Sequence, residues 1–234
     1  MKNHQDILGK TSGGHVLDVA AGRGHSILTL MENLNDFTEL TAIDMVDYTA
    51  ESEDDILKHE KVNYIQMDAR SMDFEDNIFD TAHISHSLHH LTDVPGVLNE
   101  MFRVLKPAGY LIVDEMYRDH QTEKQLSVVF LHDWWADIDT SLGINHNHTY
   151  HRREIIAMVD HLDLSDTRYE EIINNEYEES ELIQIGERGI DQYYQRAQEL
   201  PNFDDFKVTG EQLRQRLHNV GAQLATTLLI VGKK

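Results

Sequence analysis

Cysteine is absent from the 234 residues, which removes disulfides, thiol nucleophiles and thiolate metal sites at one stroke. No apolar run approaches the roughly 18 residues that a membrane span requires. The first residues, Met1-Lys2-Asn3-His4-Gln5-Asp6, lack the basic and apolar regions of a signal peptide, so a soluble, cytoplasmic protein is expected. Positive charge is also scarce. Twenty Lys and Arg face 42 Asp and Glu, a formal net charge of −22. Affinity for nucleic acid depends on Lys and Arg displacing counterions from phosphates, so an acidic chain of this kind is expected to bind no nucleic acid. Anionic membrane surfaces are disfavoured for the same reason. Adjacent basic residues are few, chiefly Arg152-Arg153 and Lys233-Lys234. What remains is a length and an apolar share of 40% that suit one domain, or one domain with a sizeable insertion.

The chain then shows a repeating order. His15-Val16-Leu17-Asp18-Val19-Ala20 reads as a buried strand entered through the turn Ser12-Gly13-Gly14. Gly22-Arg23-Gly24 follows, and Ile27, Leu28, Leu30, Met31 and Leu34 recur at helical spacing. Further strands are predicted at 40–46, 62–67, 79–85 and 110–113, with a helix over 94–105 that stops at Lys106-Pro107-Ala108-Gly109. Strands alternating with helices call for a parallel sheet covered on both faces. In the second half, helices are predicted over 118–142 and 152–162, and strands over 167–173 and 225–231. On the first of these helices Leu126, Val129, Phe130 and Trp134 share a face. The roughly 50 residues between the last two strands are too many for a hairpin loop and read as a helical insertion at about 176–220.

Glycines directly after a strand let the backbone approach a ligand, and the next helix offers free N–H groups. Asp44 lies 22 positions beyond Gly22 at the end of the second strand, where an acid can accept both hydroxyls of a ribose. Asp68-Ala69 ends the third strand in the same way. Polar or glycine residues at one edge of three successive strands fit the rule for ligand sites in open α/β sheets.

Val16-Leu17-Asp18-Val19-Ala20-Ala21-Gly22-Arg23-Gly24-His25 resembles the first motif of class I S-adenosylmethionine-dependent methyltransferases, closest to the branch of ubiquinone and menaquinone biosynthesis (methyltransferase domain types 11 and 25). Thr41-Ala42-Ile43-Asp44-Met45, Tyr64-Ile65-Gln66-Met67-Asp68-Ala69, and the stretch from Phe79 to Leu91 continuing at Arg103–Tyr110 are similar to the later motifs, in order. The resemblance covers about residues 13–116. It implies an α/β, Rossmann-like, seven-stranded, mostly parallel sheet with helices on both faces, an antiparallel last strand and a helical insertion or lid. Residues 1–117 would form the cofactor-binding half and 118–234 the remainder of the same domain. The cofactor implied is S-adenosyl-L-methionine, leaving S-adenosyl-L-homocysteine as product. By resemblance, Asp18 would organise the loop near the methionine amino group, with Ala20, Gly22 and Gly24 beneath the ligand. Asp44 would take the ribose hydroxyls, Met45 would lie on the adenine, and Asp68 and Ala69 would hydrogen-bond it. Ser85 would sit near the methionine part. Ala20 departs from the glycine that many members carry.

Methyl transfer is an in-line displacement at a sulfonium carbon, so a general base is needed only if the acceptor must shed a proton. Candidates past the strand ends are Glu115, His86 and His132, with His89 and Asp133 as further options. Trp134-Trp135 read as packing aromatics rather than an acceptor pocket. Two histidine groups stand out, one at His83, His86, His89 and His90 and one at His132, His146, His148 and His151. His89 and His90 are expected to serve packing and helix-start roles and the second group to make polar lid contacts, with no metal bound. A small-molecule methyl acceptor is the expected partner, a homodimer is compatible with the sequence, and a catalytically inert S-adenosylmethionine-binding regulator is the alternative.

Overall fold

In the computed structural model, residues 3–50 and 55–234 are described; Met1 and Lys2, part of the segment read for a leader, and residues 51–54 of the cofactor half lie outside them. The apolar, β-branched runs become the strands β1 (Ser12–Val19), β2 (Asn35–Asp44), β3 (Val62–Gln66), β4 (Phe79–Ser85), β5 (Leu105–Met116), β6 (Ser165–Ile172) and β7 (Thr227–Lys233). They form one seven-stranded sheet in the order β3-β2-β1-β4-β5-β7-β6. The first five strands are parallel, and β7 runs antiparallel between β5 and β6. Successive strand residues point to opposite faces, and both faces are covered. Leu17, Val19, Ile84 and Val113 pack with α3 (Val94–Val104) and α5 (Arg152–Asp160). Val16, Ala42, Ile112 and Leu229 face the other way, with α1 (His4–Leu8) and α2 (His25–Asn33). On α3, Val97, Leu98, Met101 and Val104 are fully buried at helical spacing, and truncating one of them to Ala costs about 2–5 kcal/mol.

A third cluster belongs to the second half. Helix α4 (Glu123–Ser141) is sandwiched between the sheet and two helices of the insertion, α6 (Glu179–Ala197) and α7 (Phe203–Asn219). Leu131, Trp134, Ile138, Ile190 and Leu217 meet there, while Val129 faces Met116 and Ala225. The backbones approach closely. A Cβ on Gly210 would lie 2.4 Å from the Tyr194 hydroxyl and 2.9 Å from the Trp134 ring.

Element boundaries shift from the pattern reading, and one residue faces the other way. Helix α4 begins at Glu123 rather than 118, because Thr122 and Gln125 close a reciprocal capping box there. Phe130, placed on its apolar face, is 38% exposed beneath the Arg216 guanidinium. Strand β5 begins at Leu105, and Lys106-Pro107-Ala108-Gly109 loops out of its ladder, with Phe79 opposite Leu105 and Thr81 opposite Tyr110. The turn reading of these four residues holds as a bulge within one strand.

Candidate active site

Strand order reverses between β1 and β4, and the crevice beyond their C-terminal ends is where open α/β sheets bind ligands. Both ends carry left-handed backbone: Ala20 (φ 54°), Gly22 (φ 53°) and Gly24 (φ 87°) after β1, and His86 (φ 46°) after β4. The N-cap of α2 is Gly24, which offers no side-chain cap; the Ile27 N–H turns back to Gly24 O at 3.1 Å, and the first turn of the helix faces the loop. The loop is braced from below. Buried Asp18 takes the Ser26 hydroxyl at 2.7 Å on one oxygen and lies 2.7 Å from His83 Nδ1 on the other. Both Asp18 oxygens are engaged within the protein, and the residue is 1% exposed.

Asp44, half-buried at the end of β2, accepts the Gly22 N–H on Oδ2 and the Val46 N–H on Oδ1, each at 3.0 Å. The Tyr64 hydroxyl lies between Gly22 O (3.1 Å) and Val46 O (3.0 Å), tying the same two loops together. Beside Asp44 opens a mainly apolar cleft of about 360 Å³, walled by Ala20, Met45, Met67, Ala69, Leu91 and Val97. Asp68 and Arg70 stand at its rim in a two-point ion pair (3.0 and 2.7 Å), which holds the Asp68 carboxyl below its ordinary range. Asp44, Met45, Asp68, Ala69 and Ala20 therefore share one cleft, whereas Ser85 lies in a neighbouring one with His83, His86, Asp114, His4 and Ser26.

Glu115 is fully buried: Oε2 accepts the Leu88 N–H at 2.8 Å and Oε1 lies 3.0 Å from His89 Nδ1. Burial alone would raise its pKa, but the neighbouring His89 and His86 and these hydrogen bonds hold it below the ordinary value. Glu115 thus has no free surface, and both of its oxygens are engaged within the protein. His86 is exposed at the cleft mouth, its N–H donating to Asp114 O at 2.8 Å. His132 sits in mid-α4, its Nε2 lying 3.2 Å from that of His89 and 3.1 Å from that of His146. Asn147 N–H to His89 O (2.7 Å) and Asn145 to His90 O (2.8 Å) pin the loop after α4 over the turn that follows β4. Trp134 is buried in the helical cluster and donates to Phe206 O, while Trp135 stacks on Tyr193, in keeping with packing roles.

From sequence, His83 had no assigned partner, Tyr64 stood only within a motif, and His146 had only a polar lid contact. His83 becomes legible only once β1 and β4 are set in register, where it stands opposite Asp18.

Sheet order, antiparallel last strand and switch-point cleft together define the class I methyltransferase fold. Residues 17–113 match the methyltransferase domain family. Over 114 residues it is 34% identical to the ubiquinone/menaquinone biosynthesis C-methyltransferase UbiE of Serratia proteamaculans, covering 47% of this chain and 45% of that protein. The corresponding Pasteurella multocida protein is 35% identical over 114 residues, covering 47% and 42%. The match thus spans less than half the length of these relatives. Among solved structures, YcgJ of Bacillus subtilis superposes with a TM-score of 0.59 at 20% identity, covering 97% of this chain and 94% of that one. A phosphoethanolamine N-methyltransferase of Haemonchus contortus, solved with S-adenosyl-L-methionine, has a TM-score of 0.55 at 16% identity and covers 96% and 49%. The [4+2]-cyclase SpnF shares the fold too, with a TM-score of 0.60 at 18% identity and coverage of 98% and 79%.

Proposed function

We propose that the chain is an S-adenosylmethionine-dependent methyltransferase acting on a small-molecule acceptor. The observation that carries this reading is Asp44, locked by the Gly22 and Val46 N–H groups at the mouth of an apolar cleft. The residues fit the cofactor. A carboxylate offers about four lone-pair positions; two are taken by backbone, and two face outward for a ribose diol. Met45, Met67, Ala69, Leu91 and Val97 wall a slot suited to a flat heteroaromatic ring. A Cβ on Gly22 would meet nothing within 4 Å, so glycine keeps open the space a ligand would fill. Bound there, S-adenosylmethionine would supply an electrophilic methyl group on a sulfonium sulfur.

The protein's own contribution is alignment and exclusion of water. Residues up to 117 would hold the cofactor. Helix α4, the 142–151 loop and the α6–α7 insertion would cover the acceptor side. His86, exposed beside Ser85, is the residue best placed to receive a proton if the acceptor must lose one. Calorimetry of the full chain with S-adenosylmethionine and S-adenosylhomocysteine tests the reading, followed by release of S-adenosylhomocysteine across an acceptor panel. Absence of binding sinks it. Binding without turnover on any acceptor favours the inert regulator instead.

A further inference from the structure

We propose that His89, His132 and His146 form a binding site for one divalent first-row transition-metal ion of the zinc type, with a coordination position left open. The three come from separate elements: the turn after β4, mid-α4 and the loop behind it. Their ligating nitrogens all lie within 4.8 Å of one another. Nε2 of His132 is 3.2 Å from Nε2 of His89 and 3.1 Å from Nε2 of His146. Zinc–imidazole bonds of about 2.0–2.1 Å at tetrahedral angles place neighbouring nitrogens about 3.3 Å apart. The two pairs through His132 have that spacing, and the His89 and His146 nitrogens lie within 4.8 Å of each other, so a small closing of the two rings would set all three around a single ion.

The hydrogen bonds behind the rings decide which nitrogens are bare. His89 Nδ1 lies against Glu115, and His146 Nδ1 lies 2.8 Å from Asp139. Asp139 also takes the Tyr193 hydroxyl at 3.0 Å and pairs with Arg196 at 2.6 Å, while Glu115 takes the Leu88 N–H. Both carboxylates are acceptors, so both Nδ1 atoms carry the hydrogen. The Thr149 hydroxyl gives its single hydrogen to Asp133 at 2.9 Å, so it can only accept from His132 Nδ1 at 3.3 Å. A neutral imidazole has one N–H. All three Nε2 atoms thus present lone pairs to one another. Bridging them by a hydrogen bond would require an extra proton, and burial opposes that charge. One metal cation satisfies all three. Carboxylates behind ligating histidines are the usual second layer of such sites, and an all-imidazole set suits zinc, copper, nickel or iron over calcium or magnesium.

Three ligands on one side leave the other side open, as in zinc sites that act on a bound molecule. An oxygen or sulfur acceptor held there would lose its proton to solvent more readily, and this consequence alone rests on the methyltransferase reading. The expectation that these histidines serve only packing and polar lid roles is thereby reopened; nothing in the sequence joins His89 to His132, 43 positions away.

The test uses the full chain, stripped with a chelator and titrated with Co²⁺ and then Zn²⁺. It is read by the visible absorption of bound cobalt and by elemental analysis after dialysis. One ion per chain is expected. His132→Ala and His146→Ala should abolish stoichiometric binding, and Asp139→Asn should weaken it by about 10–100-fold. His148→Ala and His161→Ala, both at exposed positions, should leave it unchanged. Circular dichroism checks that each variant folds. The proposal is overturned if none of Co²⁺, Zn²⁺, Ni²⁺ or Fe²⁺ binds one to one, or if such binding survives His132→Ala in a folded protein. Cobalt binding without any S-adenosylmethionine binding would sink the proposed function and leave the metal site standing.

Discussion

Asp44→Asn is the sharpest perturbation of the proposed cofactor site. The side chain keeps its size but exchanges one acceptor oxygen for an NH₂ donor. Two backbone N–H groups, from Gly22 and Val46, each reach a separate carboxylate oxygen at 3.0 Å. The amide satisfies only one of them, and its NH₂ group confronts the other. The negative charge that would receive the ribose hydroxyls is lost as well. Hydrogen bonds to charged groups contribute about 1.5–3 kcal/mol. At about 1.4 kcal/mol per decade, affinity for S-adenosylhomocysteine should therefore fall by roughly 10–150-fold. The fold should lose little, about 1 kcal/mol or less, because the half-buried position lets water reach the displaced N–H. Titration calorimetry of wild type and variant, with thermal unfolding in parallel, separates the two effects. A variant that unfolds normally and binds within about threefold of wild type would refute the role assigned to Asp44, since about 0.6 kcal/mol is too little for a lost charged acceptor.

Gly22→Ala should cost about 1–2 kcal/mol of stability from the left-handed backbone at φ 53°, with no clash, yet should weaken cofactor binding more strongly because its Cβ enters the cleft; equal effects on melting and on binding would count against this. Glu115→Gln should destabilise the fold by about 1–3 kcal/mol, since a buried amide donor then faces Leu88 N–H or His89 Nδ1–H. Unchanged urea unfolding would show that the carboxylate is not held as described. The His4–Asp114 pair, 2.7 Å apart, gives a pH signature. Burial lowers the His4 pKa, but the Asp114 hydrogen bond and charge raise it overall. Burial raises that of Asp114, but the His4 hydrogen bond and the His86 and His4 charges bring it to about 2. The raised histidine contributes fully below about pH 6.5 and loses its share as pH rises through its folded value; the depressed acid contributes above about pH 4 and loses its share as pH falls toward 2. The melting difference between wild type and His4→Ala should thus peak between about pH 4 and 6.5 and shrink by pH 8.5. A difference that is flat with pH would contradict it.

The sequence by itself determined the strands, the glycine loop and the acid 22 positions beyond it, because these depend on local rules. Strand alternation, helical spacing and the backbone freedom of glycine are written into neighbouring residues. Gly22, Gly24 and Asp44 could therefore be singled out from the chain, and Asp44 accepts the Gly22 N–H at 3.0 Å. Ala20 is the instructive case: its departure from glycine was visible, but not that the position holds φ 54°. Only the tertiary structure decided what happens between elements. Setting β1 beside β4 joins Asp18 to His83 across 65 positions, and closing the turn after β4 buries Glu115, which from its strand-end position read as an acceptor contact. Folding α4 and its loop over that turn brings His89, His132 and His146 to within hydrogen-bonding distance along the chain of three rings. Residue spacing reports the direction of a side chain from its own helix or strand. Which distant side chain it meets depends on sheet register and on how the helices cross, and neither is set by residues adjacent in the chain.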